Sequence, residues 1–140
     1  MKTFVVLAVS IILVSILFCT MVMAAPSMPD DLQMVQPDSS LPKELSAFFG
    51  KWEGATGNQQ FFIIVEKIDE KKASLYIWRS GGPRRGSPGW RRANAKVIED
   101  RGKYKLQFIG TEGTAEFTLR GEHLDWSVAP SFSVGLTRVP

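Results

Sequence analysis

The sequence predicts an all-β domain, a single antiparallel up-and-down barrel of about eight strands preceded by a short N-terminal helical turn, and three observations carry that expectation. From Phe49 onward, short apolar runs are separated by Gly, Pro, Asp and Lys clusters at intervals of roughly 8–12 residues. Late in the chain the runs alternate: Tyr104, Leu106 and Phe108, then Ala115, Phe117 and Leu119, then Leu124, Trp126 and Val128 share one face, with Lys, Gln, Glu, Thr, Asp and Ser between them. Nothing between the runs has the pattern of a crossover helix, which argues against a parallel α/β sheet. A sheet with one apolar face must cover it, and curling into a barrel does so while removing exposed edges. A two-sheet sandwich fits the same pattern and is the runner-up.

The chain opens with Met1-Lys2 and an almost unbroken apolar stretch from Phe4 to Met23, ending in Val22-Met23-Ala24 before Ala25-Pro26. That predicts a secretory signal over residues 1–24, cut after Ala24, and a protein exported to the periplasm or the extracellular medium. The stretch also approaches the ~20 residues that cross a bilayer as a helix, so an uncleaved anchor is the alternative and the membrane enters only by that route. A lipoprotein signal centred on Cys19 is disfavoured by the bulky Phe18 before it. Cys19 is the only cysteine, so the mature chain beyond the signal forms no disulfide and is held by packing. Residues 25–40, with Pro26, Pro29 and Pro37 among Ser and Asp, are expected to be a flexible linker.

The folded domain is expected over residues 41–140. Leu41 to Phe49 can form one or two helical turns with Pro42 at the permitted first position, offering Leu45, Phe48 and Phe49 as an apolar plug for one barrel end. Strands are then expected at Phe49–Ala55, Gln60–Ile68, Ala73–Arg79, Trp90–Glu99, Tyr104–Ile109, Gly113–Arg120, His123–Val128 and Phe132–Arg138. Short connections such as Glu99-Asp100-Arg101-Gly102 and Arg120-Gly121-Glu122 supply Gly where hairpin turns take positive φ. Trp52 near the start and Arg138 near the end lie on strands that a closed barrel places side by side, where a guanidinium can stack on the indole and seal one mouth.

These residues resemble the lipocalin-like, or calycin, group of barrels: a helical turn, then Gly50-x-Trp52 on the first strand and Arg138 on the last. The resemblance implies that Gly50, Trp52 and Arg138 serve the fold and that a ligand sits in the barrel interior. The chain is shorter than classical secreted lipocalins and lacks their cysteines. It is more closely similar to uncharacterised bacterial β domains found alone or appended to hydrolases, through Phe49-Gly50-Lys51-Trp52-Glu53-Gly54, Val65-Glu66-Lys67-Ile68, Tyr76-Ile77-Trp78 and Pro88-Gly89-Trp90-Arg91-Arg92. That similarity implies an accessory role.

An eight-stranded barrel either fills with side chains or holds one small ligand. Inward Trp52, Tyr104, Phe117, Trp126 and Phe132 are the candidate residues of a cavity for a small apolar or amphipathic molecule. The second candidate is a surface: Trp78, Arg84, Arg85, Trp90, Arg91 and Arg92 flank a Gly/Pro loop and could grip an anionic glycan, a lipid head group or a protein of the cell envelope. Its bland counterpart is a solvated hairpin loop. The formal charge of +3, one less once Lys2 leaves, is too small to imply nucleic-acid binding. No cofactor, metal site or catalytic residue is expected, because His123 is the lone histidine, beside Glu122 at a turn, and no nucleophile or metal motif occurs. A carboxylate-based hydrolase built from Glu53, Glu66, Glu116 or Asp125 is the residual enzyme reading. Their positions are those of strand carboxylates on the wet face.

Overall fold

The computed structural model describes residues 25–80, 89–110, 113–129 and 132–140. The expected signal segment, Arg84 and Arg85 lie outside them. Eight strands close into one barrel in chain order: β1 (Gly50–Thr56), β2 (Gln59–Ile68), β3 (Lys72–Arg79), β4 (Gly89–Asp100), β5 (Lys103–Gly110), β6 (Gly113–Arg120), β7 (His123–Val128) and β8 (Phe132–Val139). Each is antiparallel to the next, and β1 returns to pair with β8 through Lys51↔Val139, Trp52↔Arg138 and Glu53↔Thr137. The barrel is therefore formed and the sandwich is not. Every expected run becomes a strand; most ladders continue one residue farther toward the turns, as in Thr56↔Gln59 and Asp100↔Lys103, whereas β1 begins at Gly50 and not at Phe49.

One end of the barrel is plugged. A single turn of helix, α1 (Lys43–Ser46), follows Pro42 and directs Leu41, Leu45 and Phe48 into the core beside Trp52. The expected clasp is present: the Arg138 guanidinium lies 4.2 Å from the Trp52 ring centroid and donates to the Phe49 and Ala47 carbonyls at 2.6 and 2.5 Å. Trp52 Nε1 donates to the Phe48 carbonyl at 3.0 Å, so the indole ties the lid to the sheet from the other side. Gly50 is required beneath this clasp. It sits at φ +127°, and a Cβ there would stand 2.5 Å from Arg138 Nη1. Farther along β1, a Cβ on Gly54 would meet the Gly135 carbonyl oxygen at 2.5 Å, so this glycine allows β1 and β8 to close.

The expected flexible linker behaves differently from its composition. Residues 27–35 lie along the outside of β2, β3 and β4, held by contacts from both backbone and side chains. The Val35 amide donates to the Glu66 carbonyl at 2.8 Å and the Gln33 amide to Glu66 Oε2 at 3.4 Å. Trp90 Nε1 donates to the Ser27 carbonyl at 2.6 Å, and Arg92 pairs with Asp31 at 3.8 Å. Composition misleads because prolines exclude regular structure, not attachment: an extended strap needs only a few partners on a ready-made sheet.

The strap explains an irregular β2. Phe61, Ile63 and Val65 face the core, yet Ile64 and Glu66 on the other side are 2% exposed and Tyr76 of β3 is 3% exposed. A strand buried on both faces reads as a continuous apolar run, which is what Phe61 to Val65 is. Glu66 lies where the β2–β3 register shifts, between Val65 and Lys67. Its carboxylate accepts from Arg92 Nε at 3.1 Å and from Arg92 Nη2.

Candidate ligand site at the barrel mouth

In the half next to the lid, Leu75, Leu106, Leu124 and Leu136 retain no accessible surface, with Trp52 and Val65 at 1%. A void wide enough for water would leave measurable area on its lining, so these side chains pack directly against their neighbours. Inward side chains nearer either end are less covered: Ile77, Ala93, Phe108, Val128 and Phe132 toward the mouth opposite the lid, and Val97, Tyr104 and Leu119 toward the lid, are partly buried against the same core.

The aromatic side chains meet at that mouth. Strand pairing sets Trp126 opposite Val134, Phe117 opposite Trp126 and Val128 opposite Phe132. Phe61 of β2 reaches across the short β1, where its cross-strand partner is Gly54. The Trp126 ring consequently touches three others: Phe61 edge-on at 5.4 Å, Phe132 edge-on at 5.3 Å and Phe117 tilted at 5.7 Å. Phe108 stacks on Phe117 at 5.9 Å. Such contacts fix ring orientation as well as burying area. Trp126 is 6% exposed, and its Nε1–H has no hydrogen-bond partner among the described residues. An indole N–H removed from water and left unpaired costs about 1–3 kcal/mol.

Of the five cavity candidates from the sequence, Phe117, Trp126 and Phe132 are brought together here. Trp52 and Tyr104 face inward at the lid end, where burial and then the Glu99 carboxylate raise the Tyr104 phenol above its usual pKa. Sequence alternation overlooked Phe61 and Phe108 as site residues. Phe61 was hidden because it lies in the continuous run of β2; Phe108 was visible in the alternation of β5 but had no feature to set it apart.

The surface candidates are committed differently. Trp78 packs edge-on against Phe62 at 5.5 Å and Trp90 against Tyr76 at 6.4 Å, forming an aromatic row on the outside of the barrel. Trp90 and Arg92 hold the strap, and the hydrogen bond to Glu66 is the main reason the Arg92 pKa rises further. The Tyr76 hydroxyl, under the strap, has no partner of hydrogen-bond geometry among the described residues, and its pKa is raised by burial and then by Asp31. Arg91 stands apart from this group at the mouth rim.

The four carboxylates are dispersed. Glu66 pairs with Arg92, Asp125 with Arg120 at 2.7 Å, and Glu116 with Lys105 at 2.8 Å and Gln107 at 2.7 Å. Glu53 is exposed on β1. Among the described residues, no group of three or more His, Cys, Asp or Glu side chains is arranged to hold a metal. In comparisons with protein-family models, curated proteins and solved structures, nothing matches the chain.

Proposed function

We propose that this is an exported, lipocalin-like binding protein without catalytic chemistry, which takes one small apolar or amphipathic molecule at the barrel end opposite the helical lid. The Trp126 indole carries the proposal. Its N–H is buried, without a partner among the described residues and set among Phe61, Phe117 and Phe132, an environment suited to an apolar body that carries an acceptor oxygen. Protein interiors rarely leave such a donor unpaired, and a ligand acceptor would recover the hydrogen bond.

Native mass spectrometry of the protein purified from its host envelope, followed by extraction of whatever is bound, tests the proposal. A stoichiometric small molecule, displaced by a fluorescent fatty-acid probe and held several-fold more weakly after Trp126→Phe, is the expected result. A protein that arrives empty and ignores the probe overturns it.

A further inference from the structure

The outer face of β2, β3 and β4 carries two cross-strand rows. Phe62, Trp78 and Trp90 stand opposite one another in the first, and Ile64, Tyr76 and Arg92 in the second. An outward row on an antiparallel sheet is ordinarily polar and wet. Here Ile64 and Tyr76 are buried and the three aromatic residues of the first row are half-buried. The strap lies on this face and is gripped at intervals: Pro26, Pro29 and Leu32 are half-buried, whereas the residues between them are exposed. The Trp90 indole donates to the Ser27 carbonyl, between the two prolines. Pro-x-x-Pro sets two rings of fixed φ on one edge of an extended chain whose carbonyls have no internal partners, and aromatic-lined grooves take proline-rich segments by those rings. Leu32 follows a turn closed by its own amide on the Pro29 carbonyl at 3.2 Å, and Asp31 within that turn faces Arg92. The grip thus falls on proline rings, backbone groups and one acid, features that another chain can supply.

The strap is also an imperfect occupant. Asp31 is 3.8 Å from Arg92 Nη1, beyond hydrogen-bond length, and the Gln33 amide reaches Glu66 Oε2 only at 3.4 Å. The hydroxyl of Tyr76, a residue 3% exposed, has no hydrogen-bond partner among the described residues. A ligand that brings an acceptor to Tyr76 or a closer acid to Arg92 gains what the strap leaves unmade. A second copy offers only the same segment, against an attached strap whose effective concentration on a short tether is on the order of millimolar. We infer that this outer face is a docking groove for an extended Pro-x-x-Pro segment followed by an acidic side chain, supplied by a different protein, and that residues 26–35 occupy it as an internal ligand until displaced. The groove is on the opposite face of the sheet from the Trp126 site and does not depend on it.

Two-dimensional nuclear magnetic resonance of the isotope-labelled protein, titrated with unlabelled peptides, tests this. The signals are the Val35 amide, bonded to the Glu66 carbonyl, and the Trp90 indole N–H, assigned with Trp90→Phe. A peptide of residues 25–36 displaces the attached strap at concentrations on the order of millimolar. The Val35 amide then moves to its free position while the indole N–H keeps its bonded one, because the peptide supplies the same carbonyl. Asp31→Glu in the peptide, one methylene longer, lowers the concentration needed several-fold, and replacing both prolines by serine raises it about tenfold or more. A peptide that leaves the Val35 amide in place, loss of both bonded signals together, or a serine peptide that acts equally well overturns the groove. Equal action of the Asp31→Glu peptide overturns the acid preference. A concentration-dependent dimer of the unmodified chain with the Val35 amide still bonded makes the occupant a second copy and overturns the assignment to a different protein.

Discussion

Trp52→Ala tests the joint between lid and barrel most directly. The ring is 1% exposed, its N–H is bonded to the Phe48 carbonyl, and its face carries the Arg138 guanidinium. Deleting a buried aromatic of this size costs about 3–5 kcal/mol from lost burial and the void left behind. Within that total, the Nε1 hydrogen bond accounts for about 1 kcal/mol. The stacked cation, which keeps its two carbonyl acceptors, accounts for about 0.5–2 kcal/mol. Urea unfolding followed by far-ultraviolet circular dichroism, which does not depend on the deleted fluorophore, should show the midpoint falling by roughly 2 M at unchanged slope. Trp52→Phe, which retains most of the apolar area, should cost about 1–2 kcal/mol. A double-mutant cycle with Arg138→Ala isolates the stacking term. A loss below about 1 kcal/mol for Trp52→Ala would refute the argument that this residue joins lid to barrel.

Other perturbations probe the strap, the seam and the outer face. Arg92→Ala leaves the buried Glu66 carboxylate without its guanidinium and should cost about 1–3 kcal/mol. Hydrogen exchange should then accelerate at the Val35 amide while core strands keep their protection; unchanged exchange there contradicts the strap as described. Gly50→Ala forces a side chain into φ +127° and against Arg138, with an expected loss of about 1–3 kcal/mol in thermal or urea unfolding. Hydrogen bonds from Lys105, then Gln107, lower the Glu116 pKa, so its contribution is present above the unfolded value of 4.5 and lost as pH falls through the lower folded value. The pair is partly exposed and worth under about 1 kcal/mol. The stability difference between wild type and Glu116→Gln should therefore be steady near neutrality and disappear in acid, and a gap that widens in acid would reverse the assignment.

The fold was legible because a half-buried antiparallel strand records its two environments in alternate residues. From β5 to β7, Leu106, Phe117 and Trp126 mark the inner face and Lys105, Glu116 and Asp125 the outer one. The Trp52–Arg138 clasp was legible from position alone, since closure brings the first and last strands together. β2 was harder, because a covering strap supplies no periodicity of its own. Glu66, expected on the wet face, is buried under it, and no local pattern around Val65-Glu66-Lys67 reports a contact made by residues some thirty positions earlier. The mouth was half legible: Phe117, Trp126 and Phe132 follow from parity, whereas the meeting of Phe61 with Trp126 depends on β1 being narrow at Gly54, a three-dimensional fact.

The seam between β1 and β8 also governs the order in which the barrel assembles. The other seven pairings join consecutive strands, whereas the seam joins Lys51–Glu53 to Thr137–Val139 across nearly the whole domain. Closing so long a loop is entropically costly and only three paired positions repay it directly, so the hairpins form before the ends meet. Interactions made after the rate-limiting step slow unfolding without hastening folding. The stacked arginine and its carbonyl partners thus determine how long a closed barrel stays closed, while the hairpins determine how quickly one is made.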